Sequence, residues 1–182
     1  FMSCNTEKKI KSLWFIIGIF VLGGIIGLLF SFGVAVGVEK TSGDKFCTMC
    51  HTMQPMANSY YRDAHGGNNN NGVRAKCVDC HLPHDSLANY LFEKAKTGLH
   101  DVRVQNFGDL ESIDWEDKRK HAKRFVFDSG CMNCHTNLQN ATSSNTKAFI
   151  AHKEYFEKRT DKKCVECHKN VGHHILGDYI KK

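Results

Sequence analysis

The chain is expected to be mainly α: one N-terminal transmembrane helix followed by a small domain with little or no sheet. Three observations carry that expectation. Residues 13–38 hold no charged side chain, the pattern Cys-x-x-Cys-His occurs four times beyond them, and only about 144 residues are available to build around those four motifs.

The uncharged run LWFIIGIFVLGGIIGLLFSFGVAVGV spans Leu13 to Val38. As a helix it is roughly 39 Å long, enough to cross a hydrocarbon core of about 30 Å with some tilt. It exceeds the apolar core of a cleavable signal, about 7 to 15 residues, and so reads as an uncleaved anchor. Lys8, Lys9 and Lys11 precede it. By the positive-inside rule residues 1–12 are then cytoplasmic, 13–38 span the inner membrane, and 39–182 form a domain on the periplasmic, or outer, side. Gly23 with Gly27, and Gly33 with Gly37, have the spacing that lets membrane helices approach closely.

The four motifs run from Cys47 to His51, Cys77 to His81, Cys131 to His135 and Cys164 to His168. Zinc ribbons and thioredoxin-like redox pairs share the Cys-x-x-Cys spacing but demand nothing of the next residue. Here it is His every time. Two thioethers and one axial imidazole on one short turn are what covalent haem c requires, so the pattern implies four haems. Cys47, Cys50, Cys77, Cys80, Cys131, Cys134, Cys164 and Cys167 would attach them. Of nine cysteines this leaves Cys4, read as a free thiol on the cytoplasmic side. Haem attachment takes place in an oxidising compartment, in keeping with an exported domain.

About 36 residues per haem cannot surround each macrocycle with an ordinary protein core, so the haems themselves should form much of it. The formal charge of +6 suggests an anionic partner until about eight haem propionates are counted against it. The basic run Lys118 to Arg124 follows Asp114, Glu116 and Asp117 and reads as a solvated helix face, and nucleic acid is not an expected partner.

Three helices are predicted in the outer domain. The first runs from Asp85, as N-cap, to Val102, with Leu87, Tyr90, Leu91, Lys94, Gly98 and Asp101 on one face. The second spans 114–127 and ends in Ser129-Gly130. The third spans 146–160, with Phe149, His152 and Phe156 on one side. Gly66 to Gly72, rich in Asn, reads as a polar loop, and Pro55 and Pro83 each stand just behind a haem motif.

Taken together, the anchor, the four motifs and Cys47-Thr-Met-Cys-His-Thr-Met53-Gln-Pro55 resemble the NapC/NirT family of membrane-anchored quinol dehydrogenases. The resemblance is greatest to its NrfH branch, the small subunits of cytochrome c nitrite reductases. It extends through Ala64-His65, Cys80-His81-Leu-Pro-His84, Lys94-Ala-Lys-Thr-Gly-Leu-His-Asp101 and Cys167-His168-Lys-Asn-Val-Gly-His173. The Asn-rich loop and the linker between the second and third motifs depart from the pattern.

The resemblance implies a menaquinol dehydrogenase that oxidises quinol at the first haem. Four haems would relay the electrons to a periplasmic multihaem reductase, of the NrfA nitrite-reducing type. It implies Met53, rather than His51, as ligand of the first haem; the alternative is that His51 ligates and Met53 packs. It places Asp101 over the open side of that haem and Lys94 in the quinol pocket, with Lys96 and His100 as alternates. Lys94 and Asp101 stand two turns apart on one face, which suits quinol oxidation, where a proton acceptor and a hydrogen-bond donor are both needed. His81, His135 and His168 are the proximal ligands of the other haems. Distal ligands come from His65, His84, His100, His121, His152, His173 and His174; the family pattern implies His65 for the fourth haem and His173 for the third. The second haem is left to His174, His152, His121 or a lysine lent by a partner. Two other functions stand beside this one: a haem enzyme that itself reduces nitrite or hydroxylamine, and an electron hub without quinol chemistry.

Overall fold

The structure, a computed structural model, describes the backbone of residues 3–180 and the side chains of residues 9–180, so the expectations for Cys4 and Lys8 lie outside the described side chains. Contacts divide the chain into two units, Phe1–Thr41 and Ser42–Lys182.

The first unit is a single helix, α1 (Ser3–Lys40). Between Leu13 and Val38 it carries no charge on any face, with a mean hydropathy of 2.7 in its most apolar stretch, and its large side chains from Leu13 to Phe32 are exposed. A helix that is hydrophobic all round has no polar face to offer water. By length and composition it suffices to cross a membrane. Its last turn closes on Thr41, whose backbone N–H and hydroxyl both donate to the Gly37 carbonyl, at 3.1 and 2.7 Å.

The second unit is all helix and loop among the described residues, as the sequence predicts. Its α-helices are α2 (Asp44–Cys47), α3 (Gln54–Tyr61), α4 (Cys77–His81), α5 (Leu87–Phe107), α6 (Trp115–Lys120), α7 (Asp128–Cys134), α8 (Leu138–Ala141), α9 (Thr146–Phe156) and α10 (Cys164–Cys167). The buried apolar set is small: Ala57, Tyr60, Val78, Leu82, Val126, Val165 and Leu176. Val78 and Val165 lie between the cysteines of the second and fourth motifs. The protein core is thus a thin layer that includes residues inside two of the four Cys-x-x-Cys-His turns.

Where the predicted helices differ from the observed ones, side chains explain why. The N-cap of α5 is Ser86, whose Oγ accepts from the Asn89 N–H at 3.2 Å, while Asp85 holds the Asn89 side chain at 2.9 Å. The helix then continues past Val102 to Phe107. The single helix expected over 114–127 is instead α6 plus a 3-10 turn, Ala122–Arg124. His121 breaks it: its ring Nδ1 donates to the Asp117 carbonyl at 2.8 Å, the acceptor that its own N–H would use in a continuing helix. That N–H bonds Lys118 O at 3.0 Å instead. Ser129 and Gly130 lie inside α7 rather than ending a helix. α9 stops at Phe156, because Lys158 takes a φ of 55°, in the left-handed region, and Arg159 N–H bonds back to Glu154 O.

The domain is built twice on one plan. Asp44 stands three residues before Cys47, and its Oδ1 accepts from the Cys77 N–H at 3.2 Å; Asp128 stands three before Cys131, and its Oδ1 accepts from the Cys164 N–H at 3.1 Å. The Cys77 thiol turns to the same Asp44 oxygen at 3.5 Å. The turns of the second and fourth motifs are closed alike, with Asp79 and Glu166 reaching back to the N–H groups of Lys76 and Lys163 at 2.7 and 3.0 Å. Motif one is therefore side by side with motif two, and motif three with motif four.

The two pairs meet where α4 packs on α7. Phe127 N–H donates to Cys80 O, His84 N–H donates to Ser129 Oγ, both at 3.0 Å, and Gly130 lies against the Asp79 carbonyl. A Cβ built on Gly130 would sit 1.9 Å from that oxygen, so only glycine permits the approach.

Candidate functional site

All eight motif cysteines are free, with no disulfide among them. Three of the four motif histidines face a histidine from outside the motifs. His81 and His173 have ring centroids 6.4 Å apart, His135 and His65 6.1 Å, and His168 and His152 6.2 Å. No hydrogen bond joins the rings of any pair. Metal–imidazole bonds are about 2.0 Å and the ring centre lies about 1 Å behind the nitrogen, so two imidazoles on opposite sides of one iron stand about 6 Å apart. Among the described residues no three His, Cys, Asp or Glu side chains converge as a metal-ion site. A tetrahedral zinc set is therefore not assembled, whereas histidines in opposed pairs beside free Cys-x-x-Cys turns fit a macrocycle that supplies its own equatorial nitrogens and needs two axial ligands.

Neighbouring acceptors set the tautomer of four of these rings. His81 Nδ1 donates to Phe125 O at 3.0 Å. Ser59 spends its hydroxyl hydrogen on Met56 O, so its oxygen accepts from His173 Nδ1 at 2.9 Å. Thr142 likewise donates to Leu138 O and accepts from His152 Nδ1 at 3.4 Å. Asp63, buried at 5% exposure, takes His65 Nδ1 on one oxygen at 3.2 Å and His174 Nδ1 on the other at 2.9 Å. In each case the proton is held on Nδ1 and Nε2 is left as a lone-pair donor. Burial, helped by the neighbouring His81, pushes the pKa of His173 down to about 4, so its imidazole is neutral at pH 7.

The ring pairs differ from the expected assignments. His173 faces the second motif, where the third was expected, and His65 faces the third, where the fourth was expected. His152, read from the sequence as part of an aromatic stripe and as one candidate for the second haem, faces the fourth. His65 also lines, with Cys167, His168 and His174, a cavity of about 430 Å³ beside the fourth motif. His84 directs Nε2 to Val78 O at 3.2 Å, and His121 and His174 have no partner ring.

Among the motif histidines His51 alone has no ring facing it, and it is exposed, whereas Met53 is half-buried at the end of a 3-10 turn, His51–Met53. One face of α5 meets this motif. Cys47 lies within electrostatic range of both Lys94 and Asp101, and one turn beyond Asp101 Gln105 Oε1 accepts from Thr52 Oγ1 at 2.8 Å. Lys94 Nζ donates to Ser42 Oγ at 3.0 Å and lies 6.0 Å from the centre of the Tyr90 ring; the Tyr90 hydroxyl is 3.1 Å from the same Ser42 oxygen. Burial lowers the pKa of Lys94, against an opposing pull from Cys47. Asp101 is open to water on one side, but the protein crowded around it raises its pKa, only partly offset by His100. The alternates sit apart from this arrangement: Lys96 is paired with Glu93 at 3.0 Å, and His100 is exposed.

Ser42, Tyr90 and Gln105 were not singled out as site residues. Tyr90 was legible on the Lys94 face of α5, and Gln105 lies one further turn along it. Ser42 is 52 residues from Lys94 and carries no local signal.

The arrangement has known counterparts. A model of the NapC/NirT cytochrome c family, N-terminal region, matches residues 9–177. The tetraheme c-type cytochrome CymA of Shewanella oneidensis is 31% identical over 184 residues, covering 94% of this chain and 97% of its own. The cytochrome c-type protein NapC of Escherichia coli K12 is 29% identical, with 94% of each chain covered. In the solved structures, the cytochrome c nitrite reductase NrfHA complex bound to the HQNO inhibitor contains a similar chain, with a TM-score of 0.52 and 30% identity over 85% of this chain and 90% of that one. Matched along almost its whole length, and with free Cys-x-x-Cys turns and opposed histidines that fit haem, this chain belongs to the NapC/NirT cytochrome c family.

Proposed function

We propose that the chain is a menaquinol dehydrogenase anchored by residues 13–38 in the cytoplasmic membrane, with residues 1–12 inside and 39–182 outside. It would pass electrons to an extracytoplasmic multihaem reductase, with a nitrite-reducing cytochrome c as the acceptor. The observation that carries this reading is the hydrogen bond from Thr52 to Gln105, which ties the α5 face bearing Lys94 and Asp101 to the one motif whose histidine faces no second ring.

The eight motif cysteines would hold four haems. Met53 would ligate the first, and His81 with His173, His135 with His65 and His168 with His152 the others. Once attached, the haems supply one-electron carriers in series. The rest of the chemistry falls to the side chains. Quinol oxidation to quinone releases two electrons, which would pass one at a time to the carriers, and two protons; Asp101, whose raised pKa makes it a stronger base than an ordinary carboxylate, takes one proton, passes it to the water it is exposed to, and can then take the second. Lys94, steadied by Ser42 and Tyr90, donates a hydrogen bond to a quinol oxygen and fixes the ring relative to Asp101. The pairing of motif one with two, the α4–α7 contact, and the pairing of three with four order the carriers from first to fourth. Cys47 follows Val38 by only nine residues in sequence.

Titration of the detergent-solubilised cytochrome with HQNO tests the site without turnover. Saturable binding of one HQNO per chain, weakened at least tenfold in Lys94→Ala and Asp101→Ala at unchanged haem content, is expected. Binding indifferent to both substitutions would overturn the assignment.

A further inference from the structure

We infer that the outer side of α5 rests on a lipid surface, with its apolar stripe at the edge of the acyl layer and its flanking basic side chains on anionic headgroups. This rests on the reading of α1 as a membrane span and is independent of the quinol chemistry.

The 21-residue helix has two unlike sides. Tyr90, Lys94 and Gln105 turn inward, where they bond Ser42 and Thr52. At about 3.6 residues per turn the opposite side is reached by Ala88, Phe92, Ala95, Leu99 and Val102, spaced by alternating steps of four and three. All five are exposed, Phe92 at 65%, Leu99 at 73% and Val102 at 61%. Asn106, the polar residue next along this stripe, returns its side-chain amide to the Val102 carbonyl at 2.7 Å. A continuous exposed apolar stripe with a polar rim marks a surface that meets a partner.

Charge and composition select the partner. Lys96 and Arg103, seven residues apart and so on one flank of the stripe, are both exposed. The acidic side chains of α5 are Glu93 and Asp101. Glu93 is largely covered and pairs with Lys96 at 3.0 Å, leaving the Lys96 side chain 62% exposed, and Asp101 belongs to the Lys94 face. Large apolar side chains on one side with Lys and Arg at the margin are the form of an interfacial helix, and anionic headgroups complement the basic flank. Ser42, which Lys94 bonds, is the first residue of the outer unit and follows Lys40, the end of α1, by two residues in sequence. A bilayer is therefore the apolar partner that this chain carries with it. One helix then has lipid on one side and the face bearing Lys94 and Asp101 on the other.

The test uses the full chain with four haems, one molecule per nanodisc of phosphatidylethanolamine and phosphatidylglycerol, in a Cys4→Ser background. A membrane-impermeant polyethylene glycol maleimide reads the exposure of a single introduced thiol. The Phe92→Cys thiol should be labelled at least tenfold more slowly than that of Ser144→Cys, an exposed position in the turn after α8. Adding Lys96→Gln and Arg103→Glu should speed the first labelling at least threefold. Leu99→Cys is the reporter if Phe92→Cys fails to retain haem. Equal rates at the two positions would overturn the inference, and protection confined to discs that hold two chains would give the face to a second copy instead. Protection indifferent to the two basic residues would overturn the headgroup contact. A chain that does not enter nanodiscs would overturn the reading of α1 as a span, and this inference with it.

Discussion

Thr52, within the first motif's Cys-His-Thr-Met turn, donates its hydroxyl to Gln105 Oε1 on the last turns of α5 at 2.8 Å. The bond is 53 residues long in sequence and ties the first haem-binding turn to the helix that carries Lys94 and Asp101. Thr52→Val should remove it at a cost of about 1 kcal/mol, the net worth of one such bond. Haem content is expected to stay at the wild-type level while the rate of haem reduction by a menaquinol analogue falls several-fold, with Gln105→Ala giving the same result and the double variant no further loss. Stopped-flow absorbance on the three variants checks this.

Acid should slow quinol oxidation earlier than an ordinary carboxylate would. The Asp101 pKa is raised by the surrounding protein, and only the ionised form accepts a proton. As pH falls through that raised value the carboxylate is lost and the rate should drop tenfold per unit. The pH–rate profile of Asp101→Asn should be low throughout and lack this limb.

Gly130→Ala should be among the most damaging conservative changes, because its Cβ would meet Asp79 O at 1.9 Å and push α7 off α4. Assembly of the fully haem-loaded protein is expected to collapse. Gly98→Ala is the control: nothing lies within 4 Å of its Cβ, and the change should stabilise the helix by about 0.5–1 kcal/mol. Thermal unfolding and haem yield of both variants decide the point.

Asp128→Ala strips an acceptor from the Cys164 N–H at 3.1 Å and the Tyr155 hydroxyl at 2.9 Å. Leaving a fully buried donor unsatisfied costs about 1–3 kcal/mol, and these two half-buried donors should together cost about 1–3 kcal/mol. Tyr155→Phe, which removes only one donor together with its need, should be markedly milder. Denaturant unfolding midpoints of the two variants provide the comparison.

What the sequence made legible was local. Four motifs, one apolar helix and the helices begun near residues 86 and 146 follow from spacing within one or two turns and are present, whereas the helix expected over 114–127 survives only as Trp115–Lys120. The break at His121 was not legible, because a histidine that takes its own helix's carbonyl looks, in sequence, like any polar residue on a solvated face. Nor was the pairing of rings: His173 meets His81 across 92 residues and His65 meets His135 across 70, and spacing cannot encode such contacts. His152 shows the difference most clearly. Its place among Phe149 and Phe156 read as packing, and only the fold brings it against His168.

The central claim is that Lys94 and Asp101 make the first motif a quinol-oxidising site, and the most direct measurement is the anaerobic reduction of the haems by a menaquinol analogue in the detergent-solubilised chain, without any partner. Rapid reduction, abolished or slowed at least a hundredfold in Asp101→Ala and Lys94→Ala while dithionite still reduces all four haems, is the predicted result. Haems that remain oxidised by the quinol in the wild type, or variants reduced at the wild-type rate, would contradict it.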